Sequence, residues 1–241
     1  MTMIEIKDFG KRFSIHHLEE TMQAVEGIDF CLEEGEFIGI VGKSGSGKST
    51  ILKSIYRTYL PDEGSIQYNS KQFGKIDLAR ATEREILFLR KYEIGYVSQF
   101  LNVMPRATSR QLVERALLEM GETEEVARLE AEQALTHFEL DRKLWDTYPT
   151  TFSGGEKLRL NIAMATVKKP RLLLLDEPTA SLDQQSKIKV REIIEKLRAD
   201  GTTLVGIFHD IEFMEGLCDQ VFHMESKRPI RKMLAGSIHE S

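Results

Sequence analysis

Short apolar runs separated by turn residues divide this chain into alternating strands and helices. Residues 36–41 (Glu-Phe-Ile-Gly-Ile-Val), 94–97, 171–175 (an arginine followed by four leucines) and 203–208 have the continuous apolar character of strands buried on both faces. Residues 220–223 read as a further strand. Residues 3–9 alternate loosely, 11–26 are polar enough for a loop or hairpin, and 28–32 form the next strand, so an antiparallel edge is expected. The turn Leu60-Pro61-Asp62-Glu63-Gly64 precedes a short strand at 65–68. Helical spacing marks residues 50–56, 78–91 (with Ile86, Leu87 and Leu89 as the apolar face), 157–167 and 184–199. From about 110 to 140, apolar residues recur every three or four positions among Glu, Ala, Leu and Arg, the pattern of amphipathic helices packed on one another.

The alternation predicts an α/β fold with a largely parallel sheet and right-handed crossovers. We expect one domain, residues 1–241, with a core of 1–99 and 168–241 that carries an antiparallel β region. A helical subdomain, residues 100–167, is inserted into it.

Composition narrows the function classes. The 241 residues are 41% hydrophobic and 29% charged, enough to bury a sizeable core. A net charge of −5 gives no footprint for direct nucleic-acid binding. Cys31 and Cys218 form neither a disulfide framework nor a zinc pattern, and a reducing cytoplasm fits best. Glu5, Lys7, Asp8, Lys11 and Arg12 stand where a signal peptide needs apolar residues, and no run approaches the ~20 residues that span a bilayer. A membrane role would therefore go through a partner.

The chemistry centres on Gly42-Lys43-Ser44-Gly45-Ser46-Gly47-Lys48-Ser49-Thr50, which matches G-x-x-x-x-G-K-[ST] between an apparent strand and an apparent helix. Its glycines let backbone N–H groups turn inward, Lys48 reaches the β- and γ-phosphates, and the Ser49 hydroxyl can ligate Mg²⁺. The ligand expected is a nucleoside triphosphate. Asp176 and Glu177 emerge at the carboxyl end of the strand from 172, where open α/β sheets bind ligands. Asp176 suits Mg²⁺, directly or through water, and Glu177 can direct a water in line with the γ-phosphate, although a solvated acid pair ending a strand is the plain alternative.

Three weaker signals, each taken alone, default to a structural reading. Ser153-Gly154-Gly155-Glu156 is either a capping box or a phosphate-facing helix start. His209 closes the strand at 203–208 and so shares the edge of Asp176 and Glu177, while a lone histidine there is commonly structural. Gln99 follows a strand too, as a surface residue or as a ligand for Mg²⁺ or the attacking water.

Taken in order, Gly42 to Thr50, Gln99, Ser153 to Glu156, Asp176-Glu177, Ser181-Leu182-Asp183 and His209 resemble the complete motif series of the ATP-binding cassette family, over nearly the whole chain. The resemblance implies a RecA-like P-loop core and a head-to-tail dimer sandwiching two ATP molecules. Ser153 and Gly155, with Gly154 between them, would meet the γ-phosphate held by the opposite subunit's Lys48. It further implies that Asp183 lies at the dimer seam and His209 holds the γ-phosphate. Phe13 would stack on adenine, with Phe9 the nearby competitor. Phe152 and Glu156-Lys157 depart from the family's commonest residues without removing a phosphate-facing group, and Met164-Ala165-Thr166 stands where family members commonly carry Arg-Ala-Leu, a lost arginine expected to weaken packing or a partner contact.

Several stretches, among them Tyr59 to Gly64, Gly95 to Leu101, Pro105-Arg106 and Val205 to Asp210, are similar to ATP-binding subunits of bacterial carbon–phosphorus lyase systems, which degrade phosphonates. The expectation is an Mg²⁺-dependent ATPase working as a homodimer or with a paralogue beside soluble lyase subunits. Its rivals are the ATPase of a membrane permease and a non-hydrolytic, nucleotide-gated scaffold.

Overall fold

The computed structural model describes residues 1–15, 20–99, 101, 106–180 and 182–231. Two sheets form its frame. The first is antiparallel, made of β1 (Thr2–Ile15), β2 (Glu20–Glu33), β4 (Glu63–Ser70) and β5 (Gly74–Asp77) in the order β2-β1-β4-β5. The second contains β3 (Phe37–Val41), β6 (Ile94–Val97), β7 (Leu172–Asp176), β8 (Thr203–Ile207), β9 (Gln220–His223) and β10 (Arg228–Arg231) in the order β10-β9-β3-β8-β7-β6. From β9 to β6 its strands are parallel, and β10 closes the edge antiparallel to β9.

Strand periodicity explains the two hydrophobic cores, because successive side chains leave a strand on opposite faces. Leu172 and Leu174 enter one core with Ile38 and Ile40 of β3, together with the antiparallel sheet and α1 (Lys48–Ile55). Leu173 and Leu175 enter the other with Phe37 and Val41, beneath α3 (Ser109–Leu118), α4 (Glu124–His137), α5 (Gly154–Thr166) and α6 (Gln184–Ala199). The remaining helices are α2 (Glu83–Tyr92) and the short α7 (Ile211–Met214). Among the described residues no helix is long and apolar enough to cross a membrane.

One open alternative is resolved, one expectation is corrected and two strands are added. The strands at 3–9 and 28–32 belong to β1 and β2, and of the loop and hairpin alternatives for 11–26 the described residues take the hairpin pairing, with the register shifting several times between Thr2 and Arg12. On α2, Ile86 and Leu89 are buried but Leu87 is 63% exposed, since 100° per residue carries it off the shared face. The strands β5 and β10 were not anticipated, being short, polar edge strands.

Candidate nucleotide site

Four parallel strands, β3, β6, β7 and β8, end at one sheet edge, so the residues that follow each of them converge there. Beyond β3 the chain enters the glycine loop. Gly47 has φ 91° and a Cβ placed on it would lie 2.2 Å from Val25 Cγ2 and 2.6 Å from the Ala24 carbonyl oxygen, so only glycine fits. Helix α1 then begins with neither a side-chain cap nor an acid in its first turn, unlike its capped neighbours, and presents a bare positive end. The Lys48 ammonium is buried and donates to the carbonyl oxygens of Gly42 at 2.8 Å and Lys43 at 2.9 Å, which pins it inside the loop. Ser46 Oγ is buried in the same loop without a hydrogen-bond partner.

Asp176 is buried at the end of β7, and both of its oxygens are engaged. Ser49 Oγ donates to Oδ1 at 2.9 Å and the Tyr96 hydroxyl donates to Oδ2 at 2.6 Å. Burial and this bond to a carboxylate push the Tyr96 phenol well above its ordinary pKa, so it stays a donor. Sequence reading did not single out Tyr96. Its position in β6, beside β7 in register Tyr96↔Leu174, is what aims it at the carboxylate.

A serine hydroxyl next to a carboxylate is a hard-oxygen pair of the kind Mg²⁺ takes, with phosphate and water completing its shell. Among the described residues no cluster of three or more His, Cys, Asp or Glu could hold a metal ion by itself. The donor set thus fits Mg²⁺ and a polyphosphate.

Glu177 takes a left-handed backbone conformation, φ 53°, costing about 1–3 kcal/mol for a non-glycine residue and turning its side chain along the sheet edge. Its Oε1 lies 2.8 Å from His209 Nε2 just beyond β8. The carboxylate is 18% and the imidazole 48% exposed, so the pair faces solvent.

The other singled-out residues divide in two. Ser153 caps α5 with a full capping box: its Oγ accepts from Glu156 N at 3.3 Å and its own N donates to Glu156 Oε2 at 2.7 Å. Gly155 is buried against α6, where a Cβ would lie 2.8 Å from Ser186 Oγ, and Asp183 caps α6 by accepting from Ser186 N at 2.8 Å. Within one chain this Ser153–Gly155 turn, hereafter the signature turn, packs on α6. Phe9 is fully buried in the core, whereas Phe13 is partly exposed and packs edge-on against Tyr59, with ring centroids 5.1 Å apart. Gln99 is exposed just past β6, at the sheet edge that also carries Asp176. Ser181, Phe100 and residues 102–105 lie outside the described residues.

Comparisons with known proteins agree with this geometry. The family model described as ABC transporter matches residues 25–180. The chain is 34% identical over 223 residues to the cell division ATP-binding protein FtsE of Bacillus subtilis, covering 92% of each. It is 30% identical over 241 residues to the L-cystine transport system ATP-binding protein TcyN of Escherichia coli, covering 99% of this chain and 92% of that one. Among solved structures, the dimeric post-hydrolysis state of the ATP-binding cassette MJ0796 with ADP and Pi superposes with a TM-score of 0.86 at 29% identity, over 96% of this chain and 100% of that one. The chain therefore belongs to the ABC transporter family, with the fold of its ATP-hydrolysing cassettes.

Proposed function

We propose that this protein hydrolyses ATP in a head-to-tail dimer and drives the carbon–phosphorus lyase machinery of phosphonate breakdown, as a PhnL-type subunit in the cytoplasm. The observation that carries the catalytic part is the joint edge: Ser49 and Asp176 at 2.9 Å, with Glu177 and His209, one and two residues beyond their strands, at 2.8 Å. In this reading the loop amides, Lys48 and Ser46 bind the phosphates, and Ser49 with Asp176 holds the metal. Mg²⁺, when bound, neutralises phosphate charge. Glu177 accepts a hydrogen bond from the attacking water and sets its direction, while His209 orients Glu177 and donates to the γ-phosphate. Phe13 stacks on adenine, Gln99 reaches the metal shell as nucleotide enters, and Asp183 meets the second subunit. Ser153, Gly154 and Gly155 cover the triphosphate of the opposite chain.

Glu177→Gln keeps ATP binding, accumulates an ATP-dependent dimer in sedimentation, and loses turnover by about 10²-fold or more. Lys48→Ala loses tight ATP binding. Wild-type turnover in the first variant rejects the assignment of the glutamate.

The phosphonate role rests on the stretches around Tyr59 to Gly64, Gly95 to Leu101 and Val205 to Asp210. A permease-linked ATPase is the second reading, favoured by the relatives that serve cystine transport and cell division. Affinity purification of the tagged chain from its native cell separates them: soluble lyase subunits support the first, a membrane permease the second.

A further inference from the structure

The charged face of α6 is more than a solvated surface. Lys187, Arg191 and Arg198 fall within about 40° of one another around the helix, and all three reach the segment that follows His209. Lys187 Nζ contacts Asp210 Oδ2 at 2.6 Å, Arg191 Nη1 donates to the Phe213 carbonyl at 2.9 Å, and Arg198 donates to the Leu217 carbonyl at 2.7 Å and to Asp219. Lys187 is 25% and Asp210 32% exposed, sheltered enough for the pair to hold one geometry.

Asp210 is held twice. Its Oδ1 accepts from Phe213 N at 3.1 Å, capping α7, and its Oδ2 meets Lys187, with the ammonium keeping this carboxyl below the usual carboxylate range. Asp210 is the covalent neighbour of His209, whose ring is otherwise fixed by the 2.8 Å contact to Glu177. At this same N-terminal end α6 abuts the Ser153–Gly155 turn, with Ser186, the residue before Lys187, against Gly155. One helix therefore touches both the turn that faces a neighbouring subunit and the segment that aims the histidine.

We propose that Lys187 is a positioning residue for hydrolysis: through Asp210 it fixes His209 relative to Glu177 and makes that geometry follow any movement of the Ser153–Gly155 turn. This rests on the reading of His209 as the γ-phosphate ligand. Lys187 touches no substrate, so ATP affinity stays with the glycine loop and only the reaction step responds.

Steady-state ATPase kinetics on the full chain test this with Lys187→Met, Lys187→Arg and His209→Ala, alongside melting temperatures. In Lys187→Met, kcat falls about tenfold, the scale of a small misplacement near a reacting centre, KM for ATP stays within about twofold, and Lys187→Arg restores most of the rate. Wild-type kcat in Lys187→Met, a rise in KM alone, or equal loss in the arginine variant overturns the proposal. If Lys187→Met fails to fold, Asp210→Asn, which keeps the α7 cap acceptor, is read in its place: the same kcat loss supports the ladder and wild-type kcat refutes it. Wild-type turnover in His209→Ala refutes the histidine reading on which it rests, while loss there with none in Lys187→Met refutes the ladder alone.

Discussion

At the residue scale the site depends on groups whose surroundings leave them little choice. Asp176 is 7% exposed and carries hydrogen bonds on both oxygens, and the Tyr96 hydroxyl supplies the one that Ser49 does not. Removing that donor leaves a buried carboxylate short of a charge-assisted bond, worth about 1–3 kcal/mol. Tyr96→Phe is therefore expected to lower unfolding free energy by that amount in urea titrations. It also raises the Mg²⁺ concentration needed for half-maximal nucleotide binding, measured by fluorescence of a labelled ATP analogue. Asp176 was legible as a metal candidate because it ends an apolar strand before a second acid. Tyr96 was not, because an aromatic residue inside a strand has the same local pattern whether it packs in the core or bonds a carboxylate.

At the element scale the same local motif serves two ends. Thr82 begins α2 and Ser153 begins α5, each with a reciprocal capping box. Loss of either hydroxyl costs about 1 kcal/mol of helix-start stability. We expect Thr82→Ala and Ser153→Ala to show similar, small losses in urea midpoint. Only Ser153→Ala is expected to lose ATP turnover, because in the proposed dimer Ser153 also faces the second subunit's phosphate, whereas Thr82 starts α2. Equal turnover in the two variants would reduce the signature serine to a cap. The box at Ser153 was legible from its spacing, the one at Thr82 was not singled out, and spacing alone does not tell their roles apart. The sequence also located α6, from 184 to 199, but its lysines and arginines read as a solvated surface until their partners from 210 to 219 were placed beside them.

At the scale of the whole molecule, the two sheets are tied together at the end opposite the site. Arg171, just before β7, donates to the Asn69 carbonyl on β4 at 2.7 Å and to Glu34 at 2.8 Å, and lies 3.8 Å from the buried Glu93. Glu93 also accepts from Ser70 Oγ at 2.9 Å. Arg171→Met leaves that carboxylate buried without its cation, and we expect a loss of about 3–5 kcal/mol at neutral pH. The bond from Arg171 holds the Glu34 carboxyl below its usual range. Its contribution is thus present above the unfolded carboxylate pKa, near 4, and disappears as pH falls through the lower folded value. The stability difference between wild type and variant, followed by urea unfolding from pH 7 downward, should narrow in that acid range.

The sequence by itself determined the phosphate loop, the buried strands and the residues at their carboxyl ends, because each is a local pattern of glycine spacing or apolar periodicity with a direct backbone meaning. It also set their convergence, since parallel strands place every following residue on one edge. Only the tertiary structure decided the contacts made there: Ser49 with Asp176, 127 positions apart, Tyr96 with Asp176, 80 apart, Glu177 with His209, 32 apart, and Lys187 with Asp210, 23 apart. Those pairings depend on strand order, β3-β8-β7-β6, which bears no simple relation to order along the chain. The polar edge strands β5 and β10 belong to the same class, because their backbone bonds are made to neighbours and leave no periodic trace in their own residues.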